Sequence, residues 1–191
     1  MKDRIGYSML EKMEIESFSL QVIKGENLSG REYSEILTLC SGAYRRDYRP
    51  FMKTFHNTIH VLGCINGQLV SHALWITRWL QYTTLHPWRT AYVEAVATEE
   101  RYRKKGYASA VMSRLAGEIK DYDIGGLSTG SCSLYARLGW QLWRGPLFIR
   151  TSDGVIATPE EKGVMVLVLS KTPPLDLDTP LSAEWREGEL W

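Results

Sequence analysis

Apolar and polar residues alternate from residue 18 to 23, with Phe18, Leu20 and Val22 on one side. That two-residue period predicts a half-buried β-strand. Ser29, with Glu32 three positions on, has the pattern of a capping box. Tyr33, Ile36, Leu37 and Cys40 then recur at helical spacing, predicting a helix to about Tyr44. Pro50 suits the first turn of a short second helix. Strand-like runs at 58–65 and 68–82 flank Asn66-Gly67, the strongest hairpin signal in the chain. His86-Pro87 marks a loop, and 91–98 reads as a further strand.

The clearest helix is predicted over 106–121, where Ala108, Val111, Met112, Leu115 and Ile119 form one stripe. A strand follows at 124–128, then a helix at 131–138 stopped by Gly139. Residues 140–149 and 164–169 read as late strands, and the segment from Pro173 as a proline-rich, then acidic tail. The order β-α-α-β-β-β-α-β-α-β-β predicts an α/β domain, a mixed sheet with helices on its faces. The 191 residues suit one such domain over 18–191, with 1–17 as an N-terminal arm.

Composition narrows the function classes. Three cysteines at spacings of 24 and 68 suggest neither a disulfide framework nor a paired-cysteine metal site. Residues 1–18 lack the apolar core of a secretory signal, and no run reaches the length of a membrane span. The expectation is a cytoplasmic protein that engages neither membrane nor, at a net charge of +1, nucleic acid in general. That net charge conceals an asymmetry. Residues 101–150 hold nine basic against three acidic side chains, and residues 153–191 three against eight. A basic middle suits a phosphate-rich ligand and an acidic tail a cationic one; solvated surface charge would give the same count.

Between the strand at 91–98 and the clearest helix lies Arg101-Tyr102-Arg103-Lys104-Lys105-Gly106-Tyr107-Ala108. A basic, glycine-containing turn leading into a helix N-terminus offers free N–H groups and a favourable dipole to an anion. Neither GxxxxGK[ST] nor GxGxxG is present.

Here the chain resembles the GCN5-related N-acetyltransferase superfamily. Residues 103–108 match its [QR]-x-x-G-x-[GA] signature, and Leu134-Tyr135-Ala136-Arg137-Leu138-Gly139-Trp140 is similar to its LYxxxGF stretch. Further runs resemble aminoglycoside 2′-N-acetyltransferases: Tyr92-Val93-Glu94-Ala95-Val96-Ala97, Trp143-Arg144-Gly145-Pro146, Thr158-Pro159-Glu160-Glu161, and Trp185-Arg186-Glu187-Gly188-Glu189-Leu190-Trp191. The similarity spans about residues 30–191. It implies the superfamily fold, a central mixed, mostly antiparallel sheet flanked by helices, and direct acetyl transfer from acetyl-CoA without a metal.

The resemblance also implies roles. Backbone amides of 103–108 (Arg103, Lys104, Lys105, Gly106, Tyr107, Ala108) hold the pyrophosphate. Val96 and Ala97 meet the thioester arm, with the Val96 N–H on the carbonyl. Glu94 is the candidate base, acting through water, and Tyr135 the acid that protonates the thiolate. An unperturbed phenol near 10 and thiol near 8.5 make that transfer feasible. A packed core tyrosine and an ion-paired strand glutamate are the alternatives. Asp47, Glu160, Glu161, Glu94, Glu189 and Trp191, the last through its α-carboxylate, are the candidate substrate ligands. The family's second early acid falls at Met52 or Lys53 here, which implies an aminoglycoside with fewer amines, such as kasugamycin. A homodimer is an open assembly.

Other signals carry less. Gly126-Leu127-Ser128-Thr129-Gly130 is a literal GxSxG, but no histidine follows His86, so the order of a hydrolase triad is unattainable. His56 and His60 lack the glutamate of HExxH. Cys132 reads as a small packed residue. Two alternatives to the aminoglycoside reading stay open: acetylation of another amine, such as a polyamine or protein amine, and a silent acyl-CoA-binding module.

Overall fold

The computed structural model describes residues 17–82 and 86–191; most of the expected N-terminal arm therefore lies outside the described residues. Strand β1 (Phe18–Lys24) pairs antiparallel with β2 (Ile59–Ile65), which pairs with the 15-residue β3 (Gln68–Tyr82). The β2–β3 turn is Asn66-Gly67 with φ of 49° and 79°, the positive-φ pair that such a hairpin requires. β3 pairs with β4 (Trp88–Thr98), and β4 runs parallel to β5 (Ile124–Ser128). β9 (Val164–Val168) and the two-residue β6 (Gln141–Leu142) complete that side.

Helix α1 (Gly30–Tyr44) begins with the expected capping box: the Glu32 amide donates to Ser29 Oγ, and the Ser29 amide donates to the Glu32 carboxylate. It buries Ile36 and Cys40 against one face of the sheet, with Leu62, Leu74, Ile76 and Tyr92. Helix α3 (Tyr107–Glu118) buries Val111, Met112 and Leu115 against the other face, with Ala73, Trp75, Ala91 and Val93. The period-2 alternation of β3 and β4 serves both layers at once. Fully burying each such aliphatic side chain is worth about 1.5–3 kcal/mol. The short helices α2 (Arg49–Met52) and α4 (Ser133–Ala136) fill the margins. The α/β fold, a mixed and mostly antiparallel sheet with helices on both faces, is the one expected.

The structure differs from expectation at the C-terminal side. The strand expected over 140–149 is broken: β6 ends at Leu142 and β7 (Leu147–Thr151) starts after Gly145-Pro146. At the break the Arg144 and Gly145 amides donate to the Leu177 carbonyl, and a Cβ on Gly145 would lie 1.9 Å from the Thr179 carbonyl oxygen. The chain turns there onto a segment that periodicity does not mark. β7 pairs with β8 (Gly154–Ala157) and with β10 (Leu181–Glu184), and β10 meets the far end of β3. The expected acidic tail is therefore partly a strand. Its charges are drawn into pairs: Asp178 with Arg144 at 2.6 Å, Glu184 with Arg78 at 3.3 Å and Glu189 with Arg46 at 2.7 Å. The helix expected over 131–138 is a single turn at Ser133–Ala136, and the one over 106–121 is Tyr107–Glu118.

Candidate active site

Strands β4 and β5 are the parallel pair at the centre of the sheet. Their pairing runs from Thr90–Ile124 to Val93–Leu127, while β4 continues to Thr98. Opposite β3, the register shifts between His72 and Leu74, and Ala95 has φ of 53°. This is a β-bulge: one extra residue re-aims the strand, at a left-handed φ that a non-glycine residue seldom adopts.

Three side chains hold the bulge. His72 Nδ1 lies 2.8 Å from the Ala95 carbonyl, Cys40 Sγ 3.9 Å from the same oxygen, and the Tyr44 hydroxyl donates to the Val96 carbonyl at 3.1 Å. A carbonyl only accepts, so His72 Nδ1 carries the proton. His72 Nε2 then accepts from His60 Nδ1 at 2.9 Å, and His60 Nε2 accepts from the Thr58 hydroxyl at 2.8 Å. Both rings are buried, and burial pushes their pKa values down, to about 4 for His60 and about 3 for His72. His60 thus belongs to this chain of hydrogen bonds.

Beyond the bulge lies a cleft of about 290 Å³. Its walls bring together Glu94, Val96 and Tyr135 with Glu189 and Trp191, five of the residues singled out in the sequence. Glu94 is buried against Arg186, whose Nη2 donates to Oε1 at 2.5 Å; the two side chains are 10% and 12% exposed. Burial pushes the Glu94 carboxyl up, opposed by the Arg186 and Arg78 guanidinium groups, and the net direction is upward.

Tyr135 is buried edge-on to Trp140, and burial raises its phenol to about 12, against an interaction with Thr129 that lowers it. It is a weaker acid in the free protein than the ordinary phenol near 10 expected from sequence. Trp191 is buried, donating from Nε1 to Thr158 Oγ1 at 3.0 Å, while the Leu190 carbonyl accepts from the buried Arg78 at 2.8 Å.

Other expected ligands lie apart. Asp47 is exposed, holds Arg49 at 3.0 Å and lines a separate groove with Lys53 and Glu187. The Arg49 partner holds its carboxyl below the usual range. Glu160 and Glu161 sit on the turn between β8 and β9; the Glu161 amide donates to Thr158, so this turn also seats the Trp191 indole. Sequence reasoning did not single out Arg186 as the partner of Glu94, nor Arg46, Tyr44, Tyr48 and Lys162. Only tertiary folding brings these groups together, and no local pattern marks them.

The turn at 101–106 leads from a one-turn 3₁₀ helix (Glu100–Tyr102) into α3. Lys104 and Gly106 have φ of 61° and 91°, and Gly106 is the N-cap of α3. A Cβ at Gly106 would meet no protein atom within 4 Å, so its face opens outward. Arg103 donates to the Thr98 carbonyl at 3.2 Å, and Arg101 pairs with Glu99 at 2.7 Å. An open helix N-terminus near the parallel pair β4–β5, where β4 runs on past the last paired residue Val93, suits an anionic, elongated ligand. Gly126 of the GxSxG string packs instead: a Cβ there would lie 2.9 Å from the Tyr92 ring. Among the described residues no helix is long and apolar enough to cross a membrane.

Comparison with known proteins agrees with this architecture. Residues 26–143 match the acetyltransferase (GNAT) domain family. The chain is 36% identical to the aminoglycoside 2′-N-acetyltransferase of Mycolicibacterium fortuitum over 141 residues, 70% of this chain and 71% of that one. In structure it is similar to the GNAT family N-acetyltransferase YhbS of Escherichia coli, solved in complex with CoA (TM-score 0.59, 14% identity, 87% of this chain and 90% of that one). It is also similar to a probable N-acyltransferase from Enterococcus faecalis (TM-score 0.56, 19% identity, 67% of this chain), of which it spans only 33%. With the GNAT domain matched over more than half its length, the chain belongs to the GNAT acetyltransferase family.

Proposed function

We propose that this enzyme transfers the acetyl group of acetyl-CoA to the 2′-amine of an aminoglycoside. The observation that carries the reading is the single cleft whose walls include Glu94, Val96 and Tyr135 together with Glu189 and Trp191. The 36% identity to an aminoglycoside 2′-N-acetyltransferase supports the substrate class.

The backbone amides of Arg103, Lys104, Lys105, Gly106, Tyr107 and Ala108 hold the pyrophosphate, and the strand at Val96 and Ala97 lies along the thioester arm. Glu94 takes the proton of the acceptor ammonium through a water. The neutral nitrogen attacks the thioester carbonyl, and the Val96 N–H stabilises the oxyanion. The carbon–sulfur bond then breaks, and the departing thiolate takes the proton of Tyr135. The acetylated nitrogen gives up its second proton through water to the tyrosinate, Glu94 returns its proton to solvent, and amide and CoA leave. The upward shift of Glu94 favours this role, because a base titrating closer to the working pH accepts a proton more readily. The raised phenol of Tyr135 suits a proton held until the thiolate forms in the same apolar surroundings.

The remaining cationic groups of the acceptor lie toward Glu189 and Trp191, with Asp47, Glu160 and Glu161 as outer anionic positions. Met52 or Lys53 at the family's second early acidic position favours an acceptor with few amines, kasugamycin among them. A cytoplasmic enzyme of this activity would confer resistance by masking an amine that the drug needs. Thiol release from acetyl-CoA, with mass analysis of the product, across kasugamycin, gentamicin, tobramycin and kanamycin tests the reading. Acetylation of a member that carries a 2′-amine with kanamycin inert, since its 2′ position carries a hydroxyl, is the expected result. Release of thiol with none of the four overturns the substrate assignment.

A further inference from the structure

Two arginine–carboxylate pairs flank the cleft, and they differ in kind. Arg186–Glu94 is almost wholly buried, so removing one partner would strand a charge in a low-dielectric site. Arg46–Glu189 is half-exposed, with side chains 42% and 48% accessible at 2.7 Å. A pair so open to water has little to lose on separation.

Arg46 also rests on aromatic rings. Its guanidinium carbon is 3.8 Å from the Phe51 ring centre, 5.8 Å from Tyr48 and 5.9 Å from Tyr44. Those rings stack on one another, Tyr44 on Tyr48 at 4.8 Å and Tyr48 on Phe51 at 5.4 Å. Tyr44, Tyr48 and Glu189 are themselves cleft walls. Aromatic faces together with a carboxylate are the chemistry that binds an organic ammonium ion. Arg46 follows the left-handed Arg45 that ends α1 and holds its own amide to the Ser41 carbonyl, so the side chain can swing while the backbone stays fixed.

We propose that Glu189 and the Phe51–Tyr48–Tyr44 ledge form an ammonium subsite that Arg46 fills in the free enzyme and vacates when a polycationic acceptor binds. Arg46 is then a specificity-determining residue: it keeps Glu189 neutralised, and a ligand gains the subsite only if its cation replaces the guanidinium. The proposal rests on an amine-bearing acceptor, as in the reading above, but not on its being an aminoglycoside.

The test is calorimetric titration of the CoA-saturated enzyme with gentamicin and, separately, with spermidine. Arg46→Met keeps the stem and removes the charge. It is expected to tighten binding of at least one of these polycations by about three- to tenfold, because Glu189 and the ledge are freed. In a Glu189→Gln background the same change should alter affinity less than about twofold, the non-additivity of two groups that share one contact. Equal or weaker binding of both polycations by Arg46→Met overturns the subsite, as does a gain that survives in the Glu189→Gln background. Thiol release with none of the four aminoglycosides by the unaltered enzyme would overturn the aminoglycoside assignment and leave this binding result standing on its own.

Discussion

The guanidinium of Arg186 donates to the Glu94 carboxylate at 2.5 Å, tying the segment after β10 to the central strand 92 residues earlier. The pair is buried, so Arg186 is what keeps a desolvated Glu94 from rising further. Arg186→Met should therefore move the low-pH limb of the rate profile to higher pH, since a base whose pKa is raised stays protonated longer. Glu94→Gln should flatten that limb. Stability should fall by about 3–5 kcal/mol in Arg186→Met, the usual effect of stranding one member of a buried pair. The double variant should recover part of it. Denaturant melts and pH–rate profiles of the three variants check this; an unmoved limb in Arg186→Met removes Glu94 as the titrating base.

At Gly106 the backbone has φ of 91°, and its outward face is open. Gly106→Val puts a branched side chain at a left-handed φ and fills the open space at the N-terminus of α3. CoA affinity measured by calorimetry should drop at least tenfold, about 1.4 kcal/mol. Unchanged CoA affinity in a folded variant would place the pyrophosphate elsewhere.

Tyr135→Phe removes the only proton that the side chain can donate while leaving its packing against Trp140. The expected loss in kcat is about 10²–10⁴-fold, the range of general acid catalysis, with acceptor affinity little changed. Single-turnover rates separate this from slow product release. A near-normal chemical rate would leave Tyr135 as a packing residue.

The buried His60–His72 pair links stability to pH. Both pKa values are depressed, to about 4 and about 3, below the unfolded value near 6.5. The unfolded chain therefore binds more protons as pH falls below about 6.5, so the stability present above that pH is lost progressively toward pH 3. Melting temperature should decline across that window. In His60→Phe the decline should be shallower, because one titrating ring is gone. His72→Asn, which keeps a donor near the Nδ1 position, should hold the Ala95 carbonyl better than His72→Leu. Parallel slopes in variant and wild type would exclude the histidines as the source.

Trp191 seats its indole on Thr158 and forms part of the cleft wall. Trp191→Ala should raise the acceptor KM about tenfold, roughly 1.4 kcal/mol, and lower Tm. Trp191→Phe keeps the ring and should change KM far less. Steady-state kinetics with the best acceptor decides; equal KM values in all three would take Trp191 out of the binding surface.

Local chemistry made much of this molecule legible in advance. The Ser29–Glu32 box, the Asn66-Gly67 hairpin and the stripe of α3 depend on contacts within a few residues, so the order of residues specifies them directly. The turn at 103–108 was equally readable, since a basic loop entering a helix needs no distant partner. What tertiary structure alone decided depends on residues far apart in the chain. β10 is settled by Leu181 meeting Leu147 and Tyr82, because the Leu-Ser-Ala-Glu alternation of 181–184 is only four residues long and too short to mark a strand alone. The break at Gly145 answers the Thr179 carbonyl, and the bulge at Ala95 answers His72. The same holds for charge. A count of acids in 153–191 could not reveal that Arg144, Arg78 and Arg46 each take one, or that Arg186 reaches Glu94. Coulomb interactions depend on distance in space and on burial, and only the closed fold sets either.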